Sequence, residues 1–106
     1  MKKMYIACPY SKGDAAVNVR NAILVADQVA GLGWAPFIPV LTHFWHMLSP
    51  HDYEFWMKQD MEWLKLCDAV VRLGGESAGA DREVRYAISK GIPVYHSVFE
   101  VPKIGS

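Results

Sequence analysis

The sequence predicts an α/β chain built on a small doubly wound parallel sheet of about four strands, with helices on both faces. Three observations carry this. Four β-like apolar runs alternate with three helical ones along the 106 residues. The run Ala69–Leu73 has the nearly unbroken β-branched character of a strand buried on both faces of a parallel sheet. Pro36 and Pro39 confine the second strand to a border, because proline cannot donate to a sheet ladder. Right-handed crossovers then favour the order 2-1-3-4.

Met4–Cys8 reads as the first strand, ended by Pro9. From Asp14 to Leu32, Ala15, Val19, Ala22, Ile23, Ala26, Val29 and Ala30 recur at a helical period, with Asp14 as N-cap and Gly33 as the C′ residue. Trp34–Leu41 reads as the second strand. Thr42–His51 then reads as a connecting loop rich in His and aromatic residues. Asp52–Leu66 has a polar stripe, Glu54, Lys58, Glu62 and Lys65, in which Glu54 is placed to pair with Lys58. Its other face carries Tyr53, Trp56, Met57, Met61 and Leu64. After the third strand, Ser77–Ala80 reads as a turn of small residues. The last helix follows, with Glu83 in its first turn at the edge of an apolar face formed by Ala80, Val84, Ala87 and Ile88. Gly91 precedes a fourth strand, Ile92–Tyr95. No repeat or linker divides the chain, so a single flavodoxin-like domain over residues 1–106 is expected.

Composition narrows the function. At 52% hydrophobic and 21% charged, the chain is expected to fold rather than stay disordered. Eleven basic and eleven acidic residues cancel, leaving no field to hold a nucleic-acid polymer. A ligand related to nucleic acids is expected to be a small molecule. Cys8 and Cys67 lie in or beside apolar runs, as buried reduced thiols do. The apolar run after Lys2 and Lys3 is too short for a signal-peptide core, and no stretch approaches a membrane span. A cytoplasmic protein without a membrane partner is expected.

Doubly wound sheets bind ligands beyond the carboxyl ends of their strands, at the switch in strand order. Pro9–Gly13, the loop after the second strand and Gly74–Ala80 meet there. Ser11 and Ser77 offer donors to an anion, and a helix N-terminus adds to that attraction. Such residues are also ordinary turn and cap formers. Asp60 sits on the apolar side of its helix, where an unpaired charge costs several kcal/mol. It is either a structural carboxylate, bonded to backbone or to Arg72, or a functional one. Glu83 complements the helix dipole, as many acids do, and the dipole is expected to keep it ionised. An ionised Glu beside an Asp in a less polar setting separates nucleophile from proton donor, the pattern of glycosidic-bond chemistry. His43, His46 and His51 have loosely metal-like spacing, but no local Cys or fixed acid completes a set, so no metal is expected.

These residues carry a family resemblance. Tyr5-Ile6-Ala7-Cys8-Pro9, Gly33, Gln59-Asp60-Met61-Glu62-Trp63-Leu64, Cys67-Asp68-Ala69-Val70-Val71, and Ser77-Ala78-Gly79 followed by Glu83 agree in order and spacing from Tyr5 to Val94. In them the chain resembles the nucleoside 2-deoxyribosyltransferase-like superfamily, and within it the deoxynucleoside 5′-monophosphate N-hydrolases. The resemblance implies Glu83 as a nucleophile that attacks C1′ of a (deoxy)ribosyl group to form a covalent glycosyl-enzyme. Asp60 would handle the departing base and its proton, and Tyr5 would orient the nucleophile. Ser77, Gly79 and Ser11 would hold a 5′-phosphate. Ala7, Pro9 and Tyr10 complete the substrate-binding set at the end of the first strand; in the loop after the second strand, which lies outside the resemblance, His43 or His46 could touch a base or phosphate. No cofactor is implied.

Three readings stand at the level of sequence. One is an N-glycosidase or deoxyribosyl transferase on small nucleosides or nucleoside 5′-monophosphates. Another is a non-catalytic nucleotide or nucleoside-phosphate binder on the same scaffold. The third is a partner-binding module built on the aromatic helix. Trp45, Tyr53, Phe55, Trp56 and Trp63 exceed what four short strands readily bury, so a homo-oligomer is expected.

Overall fold

The computed structural model describes residues 1–105. Its elements are β1 (Lys3–Ala7), α1 (Ala15–Gly31), β2 (Ala35–Phe37), α2 (His43–Leu48), α3 (Tyr53–Leu64), β3 (Ala69–Arg72), α4 (Ala78–Ser89) and β4 (Val94–Tyr95), with short 3-10 turns at Pro39–Thr42 and Val98–Glu100. The sheet is parallel throughout, in the order β2-β1-β3-β4. Tyr5 pairs with Phe37 on one side and Val70 on the other. This is the expected α/β architecture and strand order, with the proline-bearing strand at the border.

The twofold alternation of β1 sorts its side chains between two layers. Met4, Ile6 and Cys8 pack with Val19, Ala22, Ala26 and Val29 of α1. Tyr5 and Ala7 face the other way, into a cluster with Leu64 of α3 and Ala80 and Ala87 of α4. An aromatic row continues that second layer: Phe37 lies 5.7 Å from the Tyr5 ring and stacks on Trp63 at 5.2 Å. Helices therefore cover both faces.

The largest departure from expectation follows β2. The strand ends at Phe37, well short of Leu41, and Pro39 starts a 3-10 turn that runs directly into α2. Pro39 suits the first position of a helical turn, where its missing N–H is not needed. The segment expected as a loop is thus mostly helical, and it folds back on α3. Trp45 meets Trp56 edge to face at 4.9 Å, and His51 stacks on Phe55 at 3.8 Å. This mutual packing half-buries Phe55 and Trp56, whereas Trp45, Tyr53 and Trp63 stay exposed, as do Phe44, Met47 and Leu48.

Polar pairing differs too. Glu54 bonds Arg82 at 2.8 Å instead of Lys58, tying α3 to α4, while Lys65 pairs with Glu62 at 2.7 Å. A cross-helix partner was out of reach of a reading confined to spacing within one helix. Exposed pairs of this kind contribute about 0–1 kcal/mol each, so they orient the helices more than they stabilise them.

Gly33 ends α1 at φ +97°, in the left-handed region expected of a C′ glycine. A Cβ there would stand 1.9 Å from the Ile104 carbonyl oxygen. The C-terminal segment lies across this point: Ile104 N–H donates to Leu32 O at 2.8 Å, and Trp34 Nε1–H donates to Pro102 O at 2.8 Å. Gly33→Ala is therefore expected to lower stability by about 2–3 kcal/mol, from left-handed strain and a displaced C-terminal segment. Denaturant unfolding measures the loss, and hydrogen exchange should show the Ile104 amide deprotected.

Candidate active site

A cavity of about 430 Å³ opens beyond the carboxyl ends of β1 and β3. Its walls come from the β1–α1 loop, the Pro39–His46 segment, α3 and the start of α4. Each wall is held by an identifiable contact. Asn18 of α1 donates to the carbonyls of Tyr10 (3.0 Å) and Lys12 (2.8 Å), fastening the β1–α1 loop. Arg72, at the end of β3, donates to the carbonyls of Leu73 and Gly75 and to Asp81 Oδ1 at 3.1 Å. That clamp sets the β3–α4 loop. Gly75, at φ +109°, lets the loop lie against Pro9, whose Cγ would be 2.9 Å from a Cβ at that position.

Ser77 is the N-cap of α4 and accepts from Ala80 N–H at 3.0 Å. Counting from that cap, Glu83 lies in the second turn of the helix, not the first; Asp81 is the acid of the first turn. Nor is Glu83 at the edge of the apolar face. The buried stripe of α4 is Ala80, Glu83 and Ala87, while Ile88 is 65% exposed. Glu83 is only 5% exposed, and the hydroxyl of wholly buried Tyr5 donates to its Oε2.

The electrostatics reverse the expectation that the dipole keeps Glu83 ionised. Burial pushes its carboxyl up to about 8, with the Asp60 charge adding to the rise; the Tyr5 hydrogen bond and Arg72 oppose it. The dipole acts mainly within the first turn, which Glu83 has left. Asp60, at the cavity wall, is pushed up to about 7, also by burial. It makes no hydrogen bond with Arg72, whose guanidinium is engaged by the β3–α4 loop and Asp81. Burial, then the negative charge of Glu83, raise the Tyr5 phenol well above its ordinary value, so its hydroxyl stays a donor. Burial also pushes the Cys8 thiol up to about 12, which removes it as a thiolate nucleophile at neutral pH.

Of the residues singled out from sequence, Glu83, Asp60, Tyr10, Ser11, Ser77, Gly79 and His43 line one cavity, and Tyr5 reaches it through Glu83. Ala7 and Pro9 are buried behind the cavity wall and do not line it. His43 Nδ1 and Tyr10 Oη are 2.6 Å apart, joining the Pro39–His46 wall to the β1–α1 loop. Sequence reasoning assigned Tyr53, Trp56 and Met57 only to an apolar helix face, yet they line the cavity beside Asp60. Their spacing of three, four and seven residues contained the signal. A lining face and a core face look alike in periodicity. His43, His46 and His51 are each engaged by different neighbours, and no group of three metal-ligating side chains converges among the described residues.

The sign of the Glu83 shift makes a stability prediction. Folding favours its protonated form, so its contribution is complete below 4.5 and is lost as pH rises through 8. Glu83→Gln keeps an acceptor for Tyr5 and cannot ionise. The variant should match the parent protein near pH 4.5 and exceed it by on the order of 5 kcal/mol at pH 9. Denaturant melts at the two pH values measure this; equal stabilities at pH 9 would rule out the elevated carboxyl.

Comparison with known proteins adds the following. The structure is similar to that of a 2-deoxyribosyltransferase from the psychrotolerant bacterium Bacillus psychrosaccharolyticus, with a TM-score of 0.60 and 24% identity, over 87% of this chain and 69% of that one. That likeness is one of fold. No curated protein matches the chain. Residues 2–97 match the sequence family described as "Domain of unknown function (DUF7768)". On that match the chain belongs to the DUF7768 family.

Proposed function

We propose that residues 1–106 act as one nucleoside 2-deoxyribosyltransferase-like domain that cleaves or transfers the N-glycosidic bond of small nucleosides or nucleoside 5′-monophosphates. Ser106 lies outside the described residues. The observation that carries the proposal is the buried Glu83 carboxyl, hydrogen-bonded by Tyr5 and sharing a cavity with Asp60. The fold shared with a 2-deoxyribosyltransferase supports it.

In this reading the reactive form carries the pair's one proton on Asp60, the less populated arrangement given values near 8 for Glu83 and 7 for Asp60: ionised Glu83 attacks C1′ as the base departs, and Asp60 gives its proton to the leaving nitrogen. A covalent glycosyl-Glu83 results, and Tyr5 holds the carboxyl at the angle of attack. Ionised Asp60 then takes a proton from water, whose oxygen displaces Glu83 from C1′; a second base in place of water gives transfer. Ser11, Ser77 and Gly79 lie where a 5′-phosphate would meet the N-terminus of α4. The second reading, a binding-only scaffold, draws on the same elevated carboxyl, because a Glu83 protonated at neutral pH is a poor nucleophile until a ligand changes its surroundings.

Purified protein incubated with deoxyribo- and ribonucleosides and their 5′-monophosphates should release free base from one class. Glu83→Ala should lower that rate by about a thousandfold or more while the fold is kept. The pair titrates near 7 and 8, so kcat/KM should peak in that interval. Below it both carboxyls are protonated and the nucleophile is lost; above it both are ionised and the proton donor is lost. No base release, together with a raised melting temperature on adding one ligand, would select the binding-only reading.

For assembly we propose a homo-oligomer, supported by the exposed Phe44, Met47 and Leu48 of α2. Light scattering should give a multiple of the 11.9 kDa chain mass; a monomeric mass would exclude it.

A further inference from the structure

His46 lines the cavity, half-buried, and its chemistry is set by its neighbours. The indole Nε1–H of Trp56 donates to His46 Nδ1 at 2.9 Å, and the backbone N–H of His51 approaches the same atom at 3.3 Å. An indole N–H and a peptide N–H are donors only. Nδ1 is therefore the bare acceptor, and the ring hydrogen sits on Nε2. No protein group among the described residues accepts from Nε2, which is the polar group His46 has left to offer a ligand. His43 differs: its Nδ1 partner is the Tyr10 hydroxyl, which can donate or accept and leaves the tautomer open.

Position tells which part of a ligand His46 would meet. Trp56 precedes Asp60 by four residues on α3, about 6 Å along the helix, and both line the cavity. The bond from Trp56 thus ties His46 to the helix and the cavity face that carry the carboxyl which, in the function proposed above, meets the departing base. The anion-favouring N-terminus of α4 follows β3, whereas α2 follows β2, on the other side of β1 in the sheet order. His46 thus enters the cavity from the β2 side, across β1 from the loop that leads into α4.

Resting on that reading of function, we propose that His46 is the specificity-determining residue for the base. As a fixed Nε2–H donor it selects bases whose outer edge presents an oxo oxygen over those that present an exocyclic amine. An oxo group accepts the hydrogen. An amine sets donor against donor, leaving two polar groups desolvated and unpaired, a mismatch that discriminates by about ten- to a hundredfold.

The test compares 2′-deoxyinosine with 2′-deoxyadenosine 5′-monophosphate, and 2′-deoxyuridine with 2′-deoxycytidine 5′-monophosphate. Both base release and calorimetric Kd are measured for the parent protein, His46→Phe, His46→Gln and Trp56→Phe, each checked for fold by circular dichroism. The oxo member of each pair should be preferred by about tenfold or more. His46→Phe should abolish the preference, chiefly by weakening the oxo member, and His46→Gln, which keeps a donor, should retain part of it. Trp56→Phe, which frees Nδ1 to carry the hydrogen, should narrow it. Equal use of the two members, or a preference unchanged in His46→Phe, overturns the role of His46 while base release stands. Neither release nor binding for any of the four overturns both this role and the glycosidase reading.

Discussion

The hydrogen bond from the Tyr5 hydroxyl to Glu83 is the contact on which the site depends. It joins the middle of the central strand to the buried stripe of α4, and both partners are shielded from water. A phenol and a carboxyl taken out of water each need a partner, and losing one leaves the other desolvated at a cost of about 1–3 kcal/mol. The bond therefore constrains strand parity, because Tyr5 must point to the α3/α4 layer. It also constrains helix phase, because Glu83 must fall in line with Ala80 and Ala87.

That arrangement has an electrostatic consequence. Burial holds Glu83 near 8 and Asp60 near 7, so the two carboxyls exchange protons around neutrality. A site built this way works against the stability of its own fold as pH rises, a conflict expected where buried acids serve chemistry instead of packing. The walls around it are held by specific contacts. Arg72 clamps one wall, Asn18 fastens another, and Gly75 brings the β3–α4 loop against Pro9.

The sheet was legible because its signals are local and redundant. β-branched runs mark buried strands, and the prolines of 34–41 exclude a central position. The 3-10 turn at Pro39–Thr42 and the α2 helix after it were not legible. The aromatic residues of α2 have no strong intrinsic preference, and they become helical by packing Trp45 and His46 against Trp56. Glu83 was found by its type and neighbours but misplaced by a turn, because assigning Ser77 as turn or as cap changes the count. Glu54 was matched to Lys58 because only the partner within its own helix is visible in one dimension; Arg82 is reached across the α3–α4 interface.

By itself, the sequence determined the element types, the edge position of β2, the strand order and the two acids worth examining. Each follows from short-range rules of sterics and periodicity that act within a few residues. Only the tertiary structure decided that Glu83 is withdrawn from water, that Asp60 stands clear of Arg72, and that Trp56 sets the hydrogen on His46. Those outcomes depend on which side chains burial brings together and what it removes from water. Desolvation and hydrogen-bond partnership are properties of the assembled layers, and no window of sequence contains them.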